Sequence, residues 1–499
     1  MDEREAAMVK GPRVQNKCWD WDFFLKVRQD VLAQWPAGHE LRDPSALEAA
    51  AAYQAAQPWW KFASLRNAHA AKENRIQIVP QVGHALVEQV IEQIRFCEDL
   101  RPDRWFFLTD TYTRKSQFAR AQEAIERSRR DGWSYLNGYP VVAHGVAGAR
   151  AINEATKASL GLDNCDEDSR LAWEIVLAGG WTYGLVHPLN TTFQHSRDEP
   201  LERAVFNHQY MDRLAAYYTE HGAPILRRTE ANLSGWDPPG IKVVISLIHC
   251  LLAAEQGTRH FDLTLGLGMN LVQDVAAIHT LMKLAQAYLH RFGYQDVKGY
   301  PWIYFFLGDW AQDRDALAAQ LAWNAVVATV AGCNGMIVKS LDEASNTPTK
   351  EGFRSGLKIA KQTVRLISGQ RLPEGPDLDL EKKMMELEVQ AVMEKVLELG
   401  DGDVAVGACR AAEAGVLDAM FSPWRYLKGE VLVARDHEGA FRYLDAGRIP
   451  LPPEVREYHR MKIAQREARE GTRADLEWVI REATWVSRPL EEEAQERPY

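Results

Sequence analysis

Short apolar or β-branched segments alternate along most of this chain with longer segments that carry apolar residues every three or four positions. The first pattern is typical of buried β-strands and the second of helices. The alternation predicts βα units, and the number of strands favours a closed (β/α)8 barrel of the TIM type over an open sheet. The strongest strand segments are 75–80, 104–110, 134–142, 223–228, 260–268, 302–308 and 335–340, with weaker ones near residues 160 and 181.

The intervening segments predict helices, several of which end on a glycine suited to a C-cap. They cover residues 84–100, 118–132, 168–179, 240–257 and 271–293. Beyond the Pro-, Gly- and acid-rich stretch at 368–381, the pattern predicts a helix, a β-hairpin over 431–444 and a mostly helical end. We therefore expect an N-terminal helical segment (1–70), the barrel (71–370) and a C-terminal helical and β-hairpin region (371–499).

Composition narrows the classes of function. The formal net charge of −10 over 499 residues argues against nucleic acid or an anionic membrane as a partner, because both require clustered Lys and Arg. The six cysteines are scattered singly and the histidines form no metal-binding motif, so we expect reduced thiols and no protein-built metal site. No segment resembles a signal peptide or is long enough to cross a bilayer, which favours a cytoplasmic protein.

The active face of a TIM barrel is the carboxyl end of its strands. Polar residues finish several predicted strands here, among them Gln81, the segment 110–114, Asn137 and Lys339. Lys339 closes an apolar run and Glu343 follows four residues later. Such a pair fits either a solvated ion pair that caps the strand or a polar site at the barrel mouth.

Nine stretches, spread in order over most of the chain, resemble the large (epsilon) subunit of methylaspartate mutase, also called glutamate mutase. They include DTYTRKSQF (110–118), YLNGYP (135–140), IVKSLDEASNTPTKE (337–351) and RDHEGAFRYLDAG (435–447). The resemblance implies an isomerase that uses adenosylcobalamin for a radical carbon-skeleton rearrangement. It also implies a barrel whose mouth holds the adenosyl group and the substrate.

The resemblance further implies a separate small subunit that binds cobalamin through an Asp-x-His-x-x-Gly motif. This chain lacks that motif, since Asp436 and His437 are adjacent. We therefore expect a cobalamin-carrying partner, with a homodimer of this chain inside a heterotetramer.

Most coenzyme contacts implied by the resemblance are kept. Lys339 and Glu343 match the two residues that hydrogen-bond the ribose of the adenosyl group. The other positions are a glycine against the corrin, an asparagine, a tryptophan where the family has phenylalanine, a threonine in place of an aliphatic contact and a glutamine in place of a proline. In this chain they are Gly83, Asn137, Trp310, Thr347 and Gln194.

The substrate contacts implied by the resemblance are mostly changed. Of three arginines that hold the carboxylates of glutamate, only the second is present, as Arg114, whereas the first and third positions are Gln81 and Asp163. A following histidine, a glutamate for the substrate ammonium and two tyrosines are replaced by Asn164, Leu185, Thr191 and His195. We expect a substrate other than glutamate, with one carboxylate for Arg114 and a cationic or donor group for Asp163.

Structural interpretations of two of these residues stay open. Asp163 also suits the N-cap or first turn of the helix that follows it, and His195 also suits a surface loop.

The sequence thus predicts the large subunit of a cobalamin-dependent mutase that acts on an amino acid or related carboxylate. No residue is assigned as catalytic, because the coenzyme carries the reaction. Three alternatives remain. The first is a barrel enzyme that performs a different radical isomerisation, for example a group migration in a specialised amino-acid pathway. The others are a cobalamin-independent barrel enzyme that recruits Lys339 or His195 as acid or base, and a non-catalytic subunit that has kept the fold.

Overall fold

The computed structural model describes residues 12–164, 168–344 and 348–489. Within them, eight parallel strands are hydrogen-bonded in chain order and close into a barrel, β8 pairing back to β1 from Gln77–Gly335 to Pro80–Val338. This confirms the predicted (β/α)8 barrel. The strands are β1 Gln77–Val82, β2 Arg104–Leu108, β3 Ser159–Asp163, β4 Tyr183–Val186, β5 Leu226–Ala231, β6 His260–Gly266, β7 Lys298–Tyr304 and β8 Gly335–Val338.

Helices surround the barrel and build both ends of the described chain. In order they are α1 Trp21–Leu32, α2 Pro36–His39, α3 Pro44–Ala55, α4 Ala63–Lys72, α5 Val87–Cys97, α6 Thr111–Arg114, α7 Phe118–Asp131, α8 Val141–Glu154, α9 Arg170–Ala178, α10 Pro188–His195, α11 Leu201–Glu220, α12 Pro239–Glu255, α13 Leu271–Arg291, α14 Arg314–Val330, α15 Lys350–Ile367, α16 Pro376–Leu399, α17 Val404–Ala414, α18 Pro453–Glu470 and α19 Leu476–Ala483. The predicted hairpin is confirmed as β9 Val431–Arg435 paired with β10 Phe441–Ala446. The part boundaries at 70 and 370 stay a prediction.

One strong strand prediction is wrong, and two weak ones replace it. Segment 134–142 makes only an isolated bridge between Tyr139 and Thr109, and α8 begins at Val141. Pro140 has no N–H to donate to a sheet, and Gly138 has a φ of 147°, so the backbone turns where a strand would have to continue. The weak segments near 160 and 181 become β3 and β4, which complete the barrel.

A buried polar network fills the amino-terminal end of the barrel interior. Arg104 donates to Asp262 at 2.8 Å and to Asn67 on α4 at 2.6 Å, while Asn67 donates to the other oxygen of Asp262 at 2.6 Å. Arg228 Nη2 lies 3.5 Å from Asp262, and all three charged side chains are fully buried. Asp262 therefore balances two buried guanidinium groups below the site.

Replacing Asp262 with alanine is expected to lower the free energy of unfolding by about 3–5 kcal/mol, because it leaves buried positive charge without its carboxylate. Urea unfolding followed by tryptophan fluorescence measures the change. Asp296→Ala is the matched control, since it removes a surface partner of Arg259 and should cost about 0–1 kcal/mol. Equal losses in the two variants would contradict the role given to Asp262.

Candidate functional site at the carboxyl end of the barrel

Strand pleating brings the last inward side chain of several strands to the barrel mouth, and most of these side chains are polar. Side chains alternate between the barrel interior and the helical layer, and Val79, Phe106, Tyr183, Leu226, Trp302 and Ile337 share one buried interior cluster. Two residues further along the strands, the same alternation brings the last inward positions to the carboxyl end. These positions are Gln81, Leu185, Tyr304 and Lys339, and in β3 and β5 they are Asp163 and Glu230.

Lys339 and Glu343 form a largely enclosed ion pair. Lys339 Nζ donates to Glu343 Oε1 at 2.6 Å, and the two side chains are 10% and 23% exposed. The choice between an ion pair that caps the strand and a polar site at the barrel mouth stays a prediction. A lysine ammonium has three donors and a carboxylate has several acceptor positions, so one mutual hydrogen bond leaves both groups able to bind a polar ligand.

Contacts with α15 and its N-cap hold the loop that carries Lys339 and Glu343 in place. Asp342 accepts hydrogen bonds from the backbone N–H and the hydroxyl of Thr349, the N-cap of that helix. Gly356 of the same helix lies so close to the Lys339 carbonyl that a Cβ would approach its oxygen to 2.2 Å. The backbone at Lys339 is consequently held by close packing, which orients the side chain before any ligand arrives.

An aromatic wall borders the ion pair. The Lys339 ammonium lies 4.6 Å from the ring centroid of Phe305, whose ring is 4.0 Å from Tyr304 and 5.1 Å from Trp310. The face of an aromatic ring attracts a cation, so Phe305 stabilises the position of the ammonium. Trp310, predicted as a coenzyme contact, packs against the Phe305 ring, and Phe305 separates it from Lys339.

A second corner of the mouth is acidic. Gln81 Nε2 donates to Asp163 Oδ2 and, at 3.1 Å, to the Tyr304 hydroxyl, while Gln81 Oε1 is buried without a hydrogen-bond partner. Asp163 is the last residue of β3, and the residue at the N-cap of α9 is Ser169. The N-cap interpretation of Asp163 is therefore wrong, and its carboxylate belongs to the barrel mouth.

Arg114 is presented by a short helix directly after β2. Asp110 caps that helix by accepting from the N–H groups of Tyr112 and Thr113 at 2.9 and 3.1 Å. Arg114 Nε donates to the Thr109 carbonyl at 3.0 Å, which orients the half-buried guanidinium.

His195 faces the same region from the end of α10. His195 is exposed to solvent. Desolvation, and then the positive charge of Arg114, lower the pKa of His195 below its ordinary value. The imidazole is therefore neutral at pH 7 and accepts or donates one hydrogen bond without adding charge. His195 is the last residue of α10, and its contact with the substrate stays a prediction.

Three other residues predicted to contact the substrate are buried, and two of them carry a polar atom without a hydrogen-bond partner. Asn164 Oδ1 accepts from the Leu185 N–H at 3.1 Å, whereas Asn164 Nδ2 is buried without a partner. Thr191 Oγ1 is also buried without a partner. Leu185 is fully buried and apolar. Water or a ligand would satisfy the unpartnered atoms of Asn164 and Thr191.

Of the four other residues predicted to contact the coenzyme, the structure describes three. Gly83 packs on Gly138, whose Cα would lie 2.7 Å from an added Cβ, so loop packing alone already requires a glycine at position 83. Asn137 is exposed in the loop between α7 and α8. Gln194 accepts a hydrogen bond from Asn190 Nδ2 at 3.2 Å. Thr347 lies outside the described residues.

The comparisons with known proteins decide the family. The family model described as Methylaspartate mutase E chain matches residues 60–489. This chain belongs to that family. The glutamate mutase epsilon subunit of Desulfitobacterium hafniense (strain Y51) is 37% identical over 469 residues, covering 93% of this chain and 96% of the relative.

Other members of the methylaspartate mutase E-chain family align over similar lengths. The glutamate mutase epsilon subunit of Escherichia coli O157:H7 is 35% identical and that of Haloarcula marismortui 31% identical. The alignments cover 95% and 93% of this chain and 98% and 94% of those relatives. These relatives support a mutase large subunit.

Two expected absences can be stated for the described residues only. Within 12–164, 168–344 and 348–489, no helix is long and apolar enough to cross a membrane. Over the same ranges, no group of three or more His, Cys, Asp or Glu side chains is arranged to hold a metal ion.

Sequence reasoning missed one charged residue of the mouth, Glu230. The predicted strand segment stopped at residue 228, two positions before the last inward side chain of β5. The alternation of Leu226, Arg228 and Glu230 carried the missing signal, because residues two apart share one face of a strand.

Proposed function

We propose that this chain is the catalytic large subunit of an adenosylcobalamin-dependent carbon-skeleton mutase whose substrate is an amino acid or related carboxylate other than glutamate. The observation that carries the proposal is the enclosed Lys339–Glu343 pair at the carboxyl end of a family barrel. Holding two opposite charges away from water is costly unless their remaining hydrogen-bonding capacity is used. A vicinal diol such as that of ribose offers donors to Glu343 and acceptors to Lys339.

The residues present fit the adenosyl group. Lys339 and Glu343 would hold the ribose, and the wall of Phe305 and Trp310 offers apolar surface beside it. When bound, the coenzyme supplies the radical chemistry, so no acid–base or nucleophilic constellation is needed from the protein. The chain's own groups orient the ribose, hold the substrate and exclude water from the mouth.

In this proposal a partner subunit binds the corrin ring. This chain has no Asp-x-His-x-x-Gly sequence, so in our proposal a small subunit that carries this motif would bind the cobalamin. Gly83 and Asn137, in loops at the mouth, would face the corrin. A homodimer of this chain with two such subunits is the proposed assembly.

The substrate contacts point away from a dicarboxylate. Arg114 offers a planar fork for one carboxylate. The ends of β1 and β3, which flank β2 in the barrel, carry Gln81 and Asp163 instead of the two arginines that the resemblance implies, and Leu185 replaces an acidic contact with an apolar surface. A substrate with one carboxylate and a donor or cationic group elsewhere matches this distribution of charge.

Size exclusion with simultaneous protein and corrin detection tests the coenzyme assignment. The full chain is mixed with its small cobalamin-binding subunit and adenosylcobalamin, and co-elution of all three is expected. The same run without the small subunit should show little corrin with this chain. Absence of corrin from the complete mixture would overturn the assignment and favour a cobalamin-independent barrel enzyme.

A further inference from the structure

Glu230 is a buried carboxyl group at the barrel mouth whose second oxygen has no partner. It lies near the carboxyl end of β5, 2% exposed, on the inward face that Leu226 and Arg228 also occupy. Glu230 Oε1 accepts from Asn232 Nδ2 at 2.7 Å, whereas Oε2 is buried without a hydrogen bond. A buried carboxyl oxygen needs a hydrogen-bond partner, and the described residues around Glu230 Oε2 provide none.

The charges that face Glu230 come from three strands. Asp163 on β3 is close enough that its charge opposes the ionisation of Glu230, whereas Arg228 on β5 and Lys339 after β8 favour it. Arg228 lies 3.5 Å from Asp262, which Arg104 shares, and Lys339 pairs with Glu343. From the helical side, His249 accepts from the Leu189 backbone N–H at 3.2 Å and is neutral, since burial lowers its pKa to about 3.

We propose that Asp163 and Glu230 together form the binding site for one ammonium group of the substrate. This inference rests on the proposed function, because it takes the barrel mouth as the substrate site. An ammonium ion has three donors, which suit Glu230 Oε2, an oxygen of Asp163 and the unpartnered Gln81 Oε1. Glu230 is thereby a specificity-determining residue, and the substrate class is a monocarboxylate that carries an amine.

Proton release is the measurable consequence. Burial, followed by the charge of Asp163, raises the pKa of Glu230 to about 8, so the group is mostly protonated at pH 7 in the empty site. An incoming ammonium ion favours the ionised form, and Glu230 gives its proton to solvent as the ion binds. Affinity for the amine should therefore rise up to about tenfold per pH unit below pH 8 and level off above it.

Calorimetry with four five-carbon acids tests the proposal on the complex of this chain, its small subunit and adenosylcobalamin. Pentanoate and glutarate lack an amine, L-norvaline has one beside the carboxylate, and 5-aminopentanoate has one at the far end. At least one amine-bearing acid should bind ten or more times tighter than pentanoate, and only the amine should cause proton release in buffers of different ionisation enthalpy. Whichever of the two amines binds identifies the position of the substrate ammonium.

Glu230→Gln should abolish the proton release and reduce the preference for the amine to less than threefold, and Glu230→Leu should do the same. Glu413→Gln, the same change at an exposed position of α17, is the control and should leave both unchanged. Equal binding of pentanoate and both amines, no binding of any amine, or unchanged proton release in Glu230→Gln would overturn the proposal. Co-elution of corrin in the same samples keeps such a failure distinct from failure of the proposed function.

Discussion

Lys339→Ala should abolish mutase turnover and remove the preference of the assembled complex for adenosylcobalamin over hydroxocobalamin. The variant loses the ammonium that would bind the ribose and leaves the Glu343 carboxylate without its 2.6 Å partner. Each charged hydrogen bond contributes roughly 1.5–3 kcal/mol, so the loss of one corresponds to about 10- to 150-fold in adenosyl affinity. Turnover should fall further, because misplacement of a reactive group by about 1 Å can cost about 10²-fold.

Hydroxocobalamin separates a ribose contact from a general loss of binding, since it lacks the adenosyl group. Dissociation constants for the two corrins are measured on the complex of this chain with its small subunit. Lys383→Ala is the matched control, because Lys383 pairs with Glu454 on the surface and both side chains are more than half exposed. Glu343→Gln should give an intermediate loss. An unchanged ratio of the two affinities in Lys339→Ala would favour a non-catalytic or cobalamin-independent role for this chain.

The barrel was predictable because most of its strands are buried on both faces and therefore appear as apolar runs. The exceptions follow from the same physics. β3 and β4 are only five and four residues long and contain glycines, which weakens their pattern, whereas 134–142 looks strand-like until Pro140 is counted. Lys339 was conspicuous because a charge ended an apolar run.

Glu230 was not conspicuous, and the reason is physical. Inward positions of a strand are expected to be apolar, but β5 directs Arg228 and Glu230 into the barrel and Arg227 outward. A charged strand of this kind resembles a solvated edge in sequence. In the closed barrel, Arg228 lies beside Asp262 and Glu230 lies near Asp163. The sequence alone does not show these neighbours.

The largest effect expected on substrate choice is the rejection of L-glutamate. The resemblance implies arginines at the positions of Gln81 and Asp163, and the loss of two charged contacts should weaken glutamate binding by roughly 3–6 kcal/mol, or about 10²- to 10⁴-fold. Asp163 adds repulsion, because a carboxylate in the acidic corner would meet a negative charge in place of a guanidinium. Calorimetry with L-glutamate on this complex and on that of the Desulfitobacterium hafniense relative measures the difference.

The double variant Gln81→Arg, Asp163→Arg should recover at least tenfold in glutamate affinity, because it restores positive charge at the carboxyl ends of β1 and β3. Gln81→Arg alone should recover less, since the new guanidinium would pair with Asp163, whose oxygen already accepts from residue 81. Glutamate bound as tightly by the unmodified complex as by that of the relative would contradict the altered pocket. It would also mean that Arg114 and the surrounding backbone suffice to hold both carboxylates.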